Sequence, residues 1–382
     1  MREIALYIHF PFCLKKCRYC DFVSYPGQGD DCYSDYFHSV YQELMVRGKT
    51  DSIEGASIKS IYFGGGTPSL ASPKVLGQFL SLLSGYFVFS PSIEVTLEAN
   101  PGTLHPQKLR FLSEIGVNRL SLGIQSFNDR HLRFLGRTYA ATDVFRVLEE
   151  VVNACLFPNY SVDMIYSLPL QTLSSWKKEI EFFFQYDPPH ISIYNLTVSP
   201  QVPLYSFWKR HRAVFPSQDE EATLYQWTRK VLRKRGYDQY EISNFARPGY
   251  ECLHNLTYWR NQESLGLGVS ACSYLEGKRQ KNTWSYKRYR QMIESGRLPT
   301  VLHEILPPHQ KMVEDIILAL RTREGISRDR LLRHYAPEMV RPKQTILQRL
   351  TTAGLLRETS DGWTLSPRGI RLANQVFVEL MD

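Results

Sequence analysis

The chain has 382 residues, of which 43% are hydrophobic and 22% are charged, as in ordinary folded globular proteins. Seven dispersed cysteines exclude a disulfide framework, and the absence of a signal peptide or a long apolar segment favours a cytoplasmic protein. The net charge of +8 is compatible with an anionic partner such as nucleic acid, an acidic protein or a tetrapyrrole that carries propionates.

The first predicted strand, Ala5–His9, is followed by three closely spaced cysteines. Cys13, Cys17 and Cys20 form a C-x3-C-x2-C pattern, and cysteine thiolates are the usual protein ligands of iron–sulfur clusters. Three ligands cap three irons of a 4Fe–4S cluster and leave the fourth iron open to S-adenosylmethionine (SAM), as in radical SAM enzymes. A zinc site normally adds a second cysteine pair or two histidines, and the sequence has neither. The motif therefore predicts a cluster that binds SAM.

Strand-like and helix-like segments alternate from residue 4 to about residue 200. The later predicted strands are Lys59–Phe63, Ile93–Leu97, Arg119–Ile124, Tyr160–Ile165 and Ile191–Leu196. The clearest helical pattern follows Thr142, which we expect to be the N-cap. Six strand–helix units require a parallel sheet with right-handed crossovers, so the sequence predicts an α/β fold built on a partial (β/α)6 barrel.

Polar and glycine-rich loops follow successive predicted strands. Gly64, Gly65 and Gly66 follow the second strand, Glu98 the third and Gln125 the fourth, and Asp163 lies within the fifth. Barrels carry their chemistry in the loops at the carboxyl ends of their strands. We therefore expect these loops to converge on the cysteines at one shared site.

The last part of the chain has a different pattern. Three predicted helices, Met312–Leu320, Arg328–Tyr335 and Ile346–Gly354, precede a hairpin that turns at Ser360-Asp361-Gly362. This order predicts a mostly helical, winged-helix-like domain that packs or binds a partner rather than reading DNA. The basic run Arg229–Arg235 has helical apolar spacing and is interpreted as a solvated helix face, so no nucleic-acid partner is expected.

With these motifs, the sequence resembles the family of the oxygen-independent coproporphyrinogen III oxidase and, within it, the heme chaperone branch. The resemblance runs from residue 4 to the C-terminus. It is carried by YIHFPFCLKKCRYCDF, GGGTPS, EANPGT, RLSLGIQSFN, DMIYSLPLQT, YEISNFARPGYECLHNLTYW and GLGVSACS.

The resemblance implies a role for each matched position. Cys13, Cys17 and Cys20 match the cluster ligands. Glycine lets the main chain approach SAM closely, while carboxylates, amides and a guanidinium suit its ammonium, hydroxyls and carboxylate. The positions that match SAM contacts are Tyr7, Tyr19, Gly64, Gly65, Gly66, Glu98, Gln125, Arg137 and Asp163.

Two departures favour the chaperone branch over the oxidase. The oxidase has a fourth cysteine where this chain has Phe22, and a long arm before the cluster motif where only six residues precede Tyr7. The sequence HNLTYW resembles the heme-binding motif of the chaperones, which implies that His254 binds heme, with Cys252 as an alternative or additional iron ligand. Cys32, Cys155 and Cys272 are expected to be packing residues.

These observations predict three parts and three alternative functions. Residues 1–200 would form the barrel with the cluster and SAM, 201–306 an extension that carries the heme motif, and 307–382 the winged-helix-like domain. The favoured function is a heme chaperone that transfers heme to an acceptor protein, with peripheral contact to respiratory membrane proteins. The alternatives are a radical SAM oxidative decarboxylase of coproporphyrinogen III and a radical SAM enzyme that modifies tRNA.

Overall fold

The computed structural model describes residues 2–51, 53 and 55–381 of the chain. Its largest element is a mixed sheet in which six parallel strands are adjacent and in chain order. Each of the six predicted strands overlaps one of them, which confirms the predicted barrel. The strands are β1 (Glu3–Phe10), β2 (Ser57–Gly65), β3 (Val88–Ala99), β4 (Arg119–Gln125), β5 (Asn159–Tyr166) and β6 (His190–Asn195).

Helices connect these strands and cover the outer face of the sheet. Thr142 is not the N-cap as expected: the N-cap is Ala140, two residues earlier, and the helix begins at Ala141. The carboxylate of Asp143 accepts a hydrogen bond from the backbone N–H of Ala140. The connecting helices are α1 (Asp30–Gly48), α2 (Pro73–Tyr86), α3 (Pro106–Glu114), α4 (Asp129–Leu135), α5 (Ala141–Ala154) and α6 (Leu173–Tyr186).

The next segment extends the sheet at both edges. β8 is parallel to β1 on the side opposite β2, and β9, β10 and β11 continue from it as antiparallel strands, while β7 pairs antiparallel with β6. The strands are β7 (Asn244–Ala246), β8 (Ser264–Leu267), β9 (Cys272–Leu275), β10 (Lys278–Asn282) and β11 (Thr300–Ile305). The helices are α7 (Tyr205–Arg210), α8 (Gln218–Lys234), α9 (Leu253–Trp259) and α10 (Tyr286–Glu294).

The C-terminal segment has a hydrophobic core of its own, centred on Ile316, Leu347 and Trp363. Its helices and its small antiparallel sheet agree with the winged-helix-like prediction, although α13 begins nine residues before the predicted start at Ile346. The helices are α11 (Pro308–Leu320), α12 (Arg328–His334), α13 (Pro337–Thr352), α14 (Pro367–Arg371) and α15 (Ala373–Met381). The strands are β12 (Ile326–Ser327), β13 (Leu356–Glu358) and β14 (Gly362–Leu365).

Among the helices of the described residues, none combines the length and the hydrophobicity that a membrane-spanning helix needs.

A buried charged network joins α1 to the sheet extension. The side chains of Arg47 and Glu43 are 1% and 0% exposed, and Arg47 Nε lies 2.8 Å from Glu43 Oε1. The guanidinium also donates to the side chains of Gln280 and Asn282, on β10. Glu43 in turn accepts a hydrogen bond from the hydroxyl of Tyr289. A buried charge is tolerated only when its partners remain, so the network fixes the extension against the barrel.

We expect Arg47→Leu to lower the free energy of unfolding by about 3–5 kcal/mol, because Glu43 would then be a buried charge without its partner. Urea unfolding measures this change. The matched control is Arg146→Leu on α5, whose side chain is 61% exposed and whose loss should change stability by less than about 0.5 kcal/mol. Equal effects of the two substitutions would contradict the structural role of Arg47.

Candidate active site

The three motif cysteines line one cavity at the carboxyl ends of the parallel strands. Its volume is about 430 Å³, and its walls include the cysteine loop, the glycine loop after β2 and the ends of β3 to β6. Cys13, Cys17 and Cys20 are all free thiols with partial solvent access. The structure therefore brings the cysteine motif and the successive strand loops together, as the chain order predicts.

The thiols fit the requirements of a cluster site. Desolvation raises the pKa of the Cys20 thiol to about 11, so bonding to iron would deprotonate it. Thr67 Oγ1 donates to Cys13 Sγ at 3.7 Å, and Arg137 Nη1 donates to Cys17 Sγ at 3.2 Å. In the described residues, no three His, Cys, Asp or Glu side chains are arranged to hold a single metal ion. In a cluster, by contrast, each thiolate binds a different iron. Three cysteines on one wall suit a 4Fe–4S cluster better than zinc.

Gly65, the last residue of β2, and Gly66, which follows it, have no room for a side chain. Gly65 has a φ of +110°, and a Cβ there would lie 2.5 Å from the imidazole of His9. A Cβ on Gly66 would lie 2.4 Å from the carbonyl oxygen of Phe12. Both glycines line the cavity, so their main chain is accessible to a ligand. Gly64 is not among the residues that line the cavity; it lies against the side chains of Tyr62 and Glu98.

Glu98 is one of the acidic residues that line the cavity. Its carboxylate accepts hydrogen bonds from the hydroxyl of Tyr62 at 2.9 Å and from the backbone N–H of Gly65 at 3.0 Å. Desolvation, together with the nearby charge of Asp163, raises its pKa to about 7. A carboxyl with this pKa changes its proton occupancy near neutral pH, where it can bind hydroxyls or an ammonium group of a ligand.

Asp163 and Gln125 complete the polar wall formed by β4 and β5. The Asp163 carboxylate accepts hydrogen bonds from the hydroxyls of Ser121 and Ser161 at 2.9 and 3.0 Å. Desolvation raises its pKa above the ordinary range of an aspartate, while these hydroxyls oppose the shift. Gln125 lines the same cavity at the end of β4. Both side chains therefore face the volume in which the sequence predicts SAM.

Arg137 connects the cysteine loop to the rest of the cavity. Besides Cys17, its guanidinium donates to the hydroxyls of Tyr19 and Tyr139 and to the side chain of Asn100. Its other acceptor is the carbonyl of Gly123, at 3.0 Å. A guanidinium in this position provides a positive charge beside the cysteines, where a ligand carboxylate would be stabilised.

Tyr7 lies outside the cavity, unlike the other predicted SAM contacts with side chains. It lines a second groove, on the other side of the cysteine loop, together with Tyr258 and Trp259 of the heme motif. Its hydroxyl is 3.1 Å from His9 Nδ1, and its ring stacks on Tyr62 with centroids 6.2 Å apart. Tyr7 therefore does not line the cavity and is connected to it only through His9 and Tyr62.

His254 is buried behind this groove, with 1% of its surface exposed. Its Nδ1 is 3.0 Å from the hydroxyl of Ser60, and its Nε2 is 3.0 Å from the hydroxyl of Tyr258. Burial lowers the pKa of the imidazole to about 3, so the ring is neutral. Iron ligation by His254 would require the loss of one of these hydrogen bonds. Ligation by His254 stays a prediction.

Glu94 holds the start of the heme motif in place. Its carboxylate, on β3, accepts hydrogen bonds from the backbone N–H groups of Leu253 and His254 at the beginning of α9, both at 3.1 Å. It also accepts the thiol proton of Cys252 at 3.5 Å, and burial raises the pKa of that thiol to about 12. Cys252 is fully buried here and is not among the residues that line the groove.

Comparisons with known proteins agree with this geometry. A model of the radical SAM superfamily matches residues 7–183, and a model of the HemN C-terminal domain matches residues 306–372. The heme chaperone HemW of Bacillus subtilis (strain 168) is 35% identical over 378 residues, which cover 98% of each chain. The chain belongs to the HemW family of radical SAM proteins. HemW of Escherichia coli (strain K12) is 29% identical, with 98% of this chain and 97% of that protein covered.

The fold of this chain matches that of a solved radical SAM enzyme. The structure of coproporphyrinogen III oxidase (HemN) from Escherichia coli superimposes with a TM-score of 0.85 over 99% of this chain and 90% of that chain. Its sequence is 24% identical, so this likeness supports the fold and not the activity.

Several site residues were missed in the sequence. Asn100 and Tyr139 both bind Arg137 in the cavity, and each lies in a motif or loop next to a predicted residue.

Cys155 and Cys272 were expected to be packing residues, but both side chains are exposed. Cys155 ends α5, whereas Cys272 opens into the groove. The position of Cys272 at the groove is visible only in the folded chain, because Cys272 has no ligand-like spacing to another residue in the sequence.

We expect Cys17→Ser to abolish cluster binding, because one of three thiolates that hold the irons is removed. Anaerobically reconstituted wild-type protein should contain about four irons per chain, and the variant should contain few. Cys155→Ser removes an exposed thiol outside the cavity and should leave the iron content unchanged. Full iron content in the Cys17 variant would show that the cluster assignment is wrong.

Glu98→Gln should change how stability depends on pH. The folded-state pKa near 7 exceeds the unfolded value of about 4.3, so the folded state keeps a proton that the unfolded chain loses. Stability therefore falls as the pH rises from about 4.3 through about 7, and the glutamine variant lacks this loss. Urea unfolding should show the variant gaining about 1–2 kcal/mol over wild type between about pH 5.5 and 7.5. A pH-independent difference would mean that the carboxyl is not desolvated.

Proposed function

We propose that the protein is a heme chaperone that carries a SAM-bound 4Fe–4S cluster, binds heme and transfers it to an acceptor protein. The observation that carries this proposal is the match to a curated HemW over 98% of both chains. A match of this extent includes the cysteine loop, the HNLTYW motif and the C-terminal domain together. The proposal also places the protein in the cytoplasm, with peripheral contact to respiratory membrane proteins through the acceptor.

The proposal assigns cofactors to the cavity residues. Cys13, Cys17 and Cys20 would hold the cluster, and a SAM-bound cluster can supply one-electron chemistry. The main chain at Gly65 and Gly66 would receive the amino group of SAM, and Arg137 would bind its carboxylate. Tyr19, Glu98, Gln125 and Asp163 would provide the remaining polar contacts. Tyr7 and Gly64 would support these residues rather than contact SAM directly, because neither lines the cavity.

The arrangement of the two recesses supports a functional link between SAM and heme. Asp21 and Phe22 of the cysteine loop line both the cavity and the groove. The ring of Tyr62, whose hydroxyl binds Glu98, stacks on His254 with centroids 5.1 Å apart. His254 in turn binds Tyr258, which lines the groove. These contacts form a continuous path from the SAM cavity to the groove, which supports the proposed link.

We also propose the three-part division of the chain at about residues 200 and 306. The barrel would hold the cluster and SAM, and the extension would present the heme motif. The C-terminal part would pack on both and contact the acceptor. Its separate hydrophobic core supports the boundary near residue 306. One continuous core extends across residue 200, so the boundary there rests on the change in sequence pattern.

The main alternative is the oxidative decarboxylation of coproporphyrinogen III. The observation that favours it is the structural likeness to HemN, with a TM-score of 0.85. The tRNA-modification alternative has no comparable support, since the basic run Arg229–Arg235 lies at the end of the amphipathic helix α8 and in the residue that follows it.

One experiment separates the chaperone from the decarboxylase. Anaerobically reconstituted protein would be given SAM, dithionite and coproporphyrinogen III, and protoporphyrinogen would be measured. In parallel, the heme-loaded protein would be mixed with a heme-free respiratory heme protein, and heme transfer would be followed by its absorption spectrum. We expect heme transfer without decarboxylation. Multiple turnovers of coproporphyrinogen III would reject the chaperone proposal, as would failure to bind heme.

A further inference from the structure

Two segments of the chain that contain no acidic residue meet beside the motif cysteines. Residues 13–20 belong to the cysteine loop, and residues 196–217 include α7. All lysines and arginines of the two segments are at least partly exposed. The surface that they form is called the basic rim, and its residues are Lys15, Lys16, Arg18, Lys209, Arg210 and Arg212. Positive charge is therefore concentrated where the thiols of the cysteine loop have access to solvent.

Arg18 joins the two segments. Its backbone carbonyl accepts a hydrogen bond from the backbone N–H of Leu204, at 2.8 Å. Its guanidinium carbon lies 5.3 Å from the ring centroid of Phe134 and 5.5 Å from that of Phe207, on α7. Both neighbours of Arg18 in the chain line the SAM cavity. These contacts therefore hold α7 next to the mouth of the cavity.

The charges of the basic rim are not offset by acidic side chains. None of its six residues forms an ion pair with another described residue. Lys16 and Arg210 donate to backbone carbonyl groups, which leaves their charges uncompensated. The next acidic residues along the chain are Asp21 and Asp219. The rim therefore attracts an anionic partner, and salt weakens this attraction.

The apolar residues of the rim favour a protein partner over a lipid surface. Phe207 and Trp208 are half-buried, and their rings are covered by the guanidinium groups of Arg18 and Arg212. A helix that lies in a membrane surface presents uncovered apolar side chains along one face. Of the large apolar side chains in the two segments, only that of Leu14 is exposed, at 59%. One apolar contact surrounded by cations suits a small, electrostatically steered protein interface.

The location of the rim indicates what such a partner delivers. A cluster exchanges electrons with another protein only when the two redox groups come close together. The cysteine loop is the wall of the cavity that carries the thiols, and the rim surrounds the outer side of this loop. Interfaces between electron-transfer proteins are small and transient, and complementary charge speeds their formation.

We propose that the basic rim is the docking surface for an acidic flavin or iron–sulfur protein that donates one electron to the cluster. This inference rests on the cluster of the proposed function and does not depend on where heme binds. One electron leaves the reduced donor and enters the oxidised cluster, so each partner changes by one electron. No bond forms or breaks, and no proton is transferred.

The test is the rate of cluster reduction in the anaerobically reconstituted protein. The donor is a fully reduced flavodoxin, which is a small acidic flavin protein, and stopped-flow absorption follows both partners. The variant carries Lys209→Glu and Arg210→Glu, which are exposed and do not line the cavity. We expect its reduction at about 0.01 M salt to be at least tenfold slower than that of wild type. At about 1 M salt, where the Debye length is about 3 Å, the two rates should converge.

Two controls separate docking from changes of net charge or of the cluster. The double variant Lys230→Glu and Arg233→Glu has the same change of charge on exposed residues in the second half of α8. It should be reduced at the wild-type rate. Reduced methyl viologen, a small cation that needs no docking surface, should reduce the Lys209 and Arg210 variant at least as fast as wild type. Iron content and SAM affinity should equal those of wild type in both variants.

A neutral variant tests whether charge itself is the cause. The double variant Lys209→Gln and Arg210→Gln should be reduced by flavodoxin at a rate between those of wild type and the charge-reversed variant. A purely structural role of the two side chains would instead give the glutamine and glutamate variants equal rates. It would also change the iron content or the SAM affinity.

The possible failures are distinguishable. If reconstituted wild-type protein holds no cluster, the proposed function fails. If the cluster forms but flavodoxin reduces the charge-reversed variant as fast as wild type, or reduces neither while methyl viologen reduces both, only the docking inference is overturned. If wild type binds phosphatidylglycerol vesicles, the charge-reversed variant does not, and their flavodoxin rates are equal, the rim binds lipid and the electron donor is excluded.

Discussion

The position of β1 at the centre of the sheet is the constraint on which the two recesses depend. β1 pairs with β2 on one side and with β8 on the other, in parallel register on both sides. The register sets His9 opposite Gly64 and Phe10 opposite Gly65, which brings the glycine loop against the start of the cysteine loop. The cysteine loop that follows β1 lines both recesses, so a slip of this strand would disrupt them together.

The residues between the two recesses form a continuous polar and aromatic layer. His9 is in contact with Tyr7 and with the backbone carbonyl of Val23, and burial lowers the pKa of its imidazole to about 4. A neutral ring can accept one hydrogen bond and donate another, as the contacts of His9 and His254 require. These histidines are therefore suited to fixing the geometry of the layer rather than to carrying charge.

His254 and Tyr258 of the HNLTYW motif differ in their access to the groove. In the sequence HNLTYW, the histidine is the obvious ligand and the tyrosine an apolar neighbour. In the folded chain Tyr258 lines the groove, and His254 lies behind it with its Nε2 hydrogen-bonded to the hydroxyl of Tyr258. The spacing of four residues on α9 accounts for this contact, because such residues are neighbours on one face of a helix. Glu94 fixes the start of that helix.

The sequence by itself determined the order of strands and helices, the cysteine motif and the convergence of Glu98, Gln125 and Asp163 on it. These follow from periodicity and from the rule that parallel strands end at one edge, which need no knowledge of distant contacts. Only the tertiary structure decided that β8 joins β1 and that the hairpin of Cys272 and Lys281 faces the heme motif. In each case two segments that are separated in the chain come together in space. Local sequence patterns carry no information on which separated segments meet.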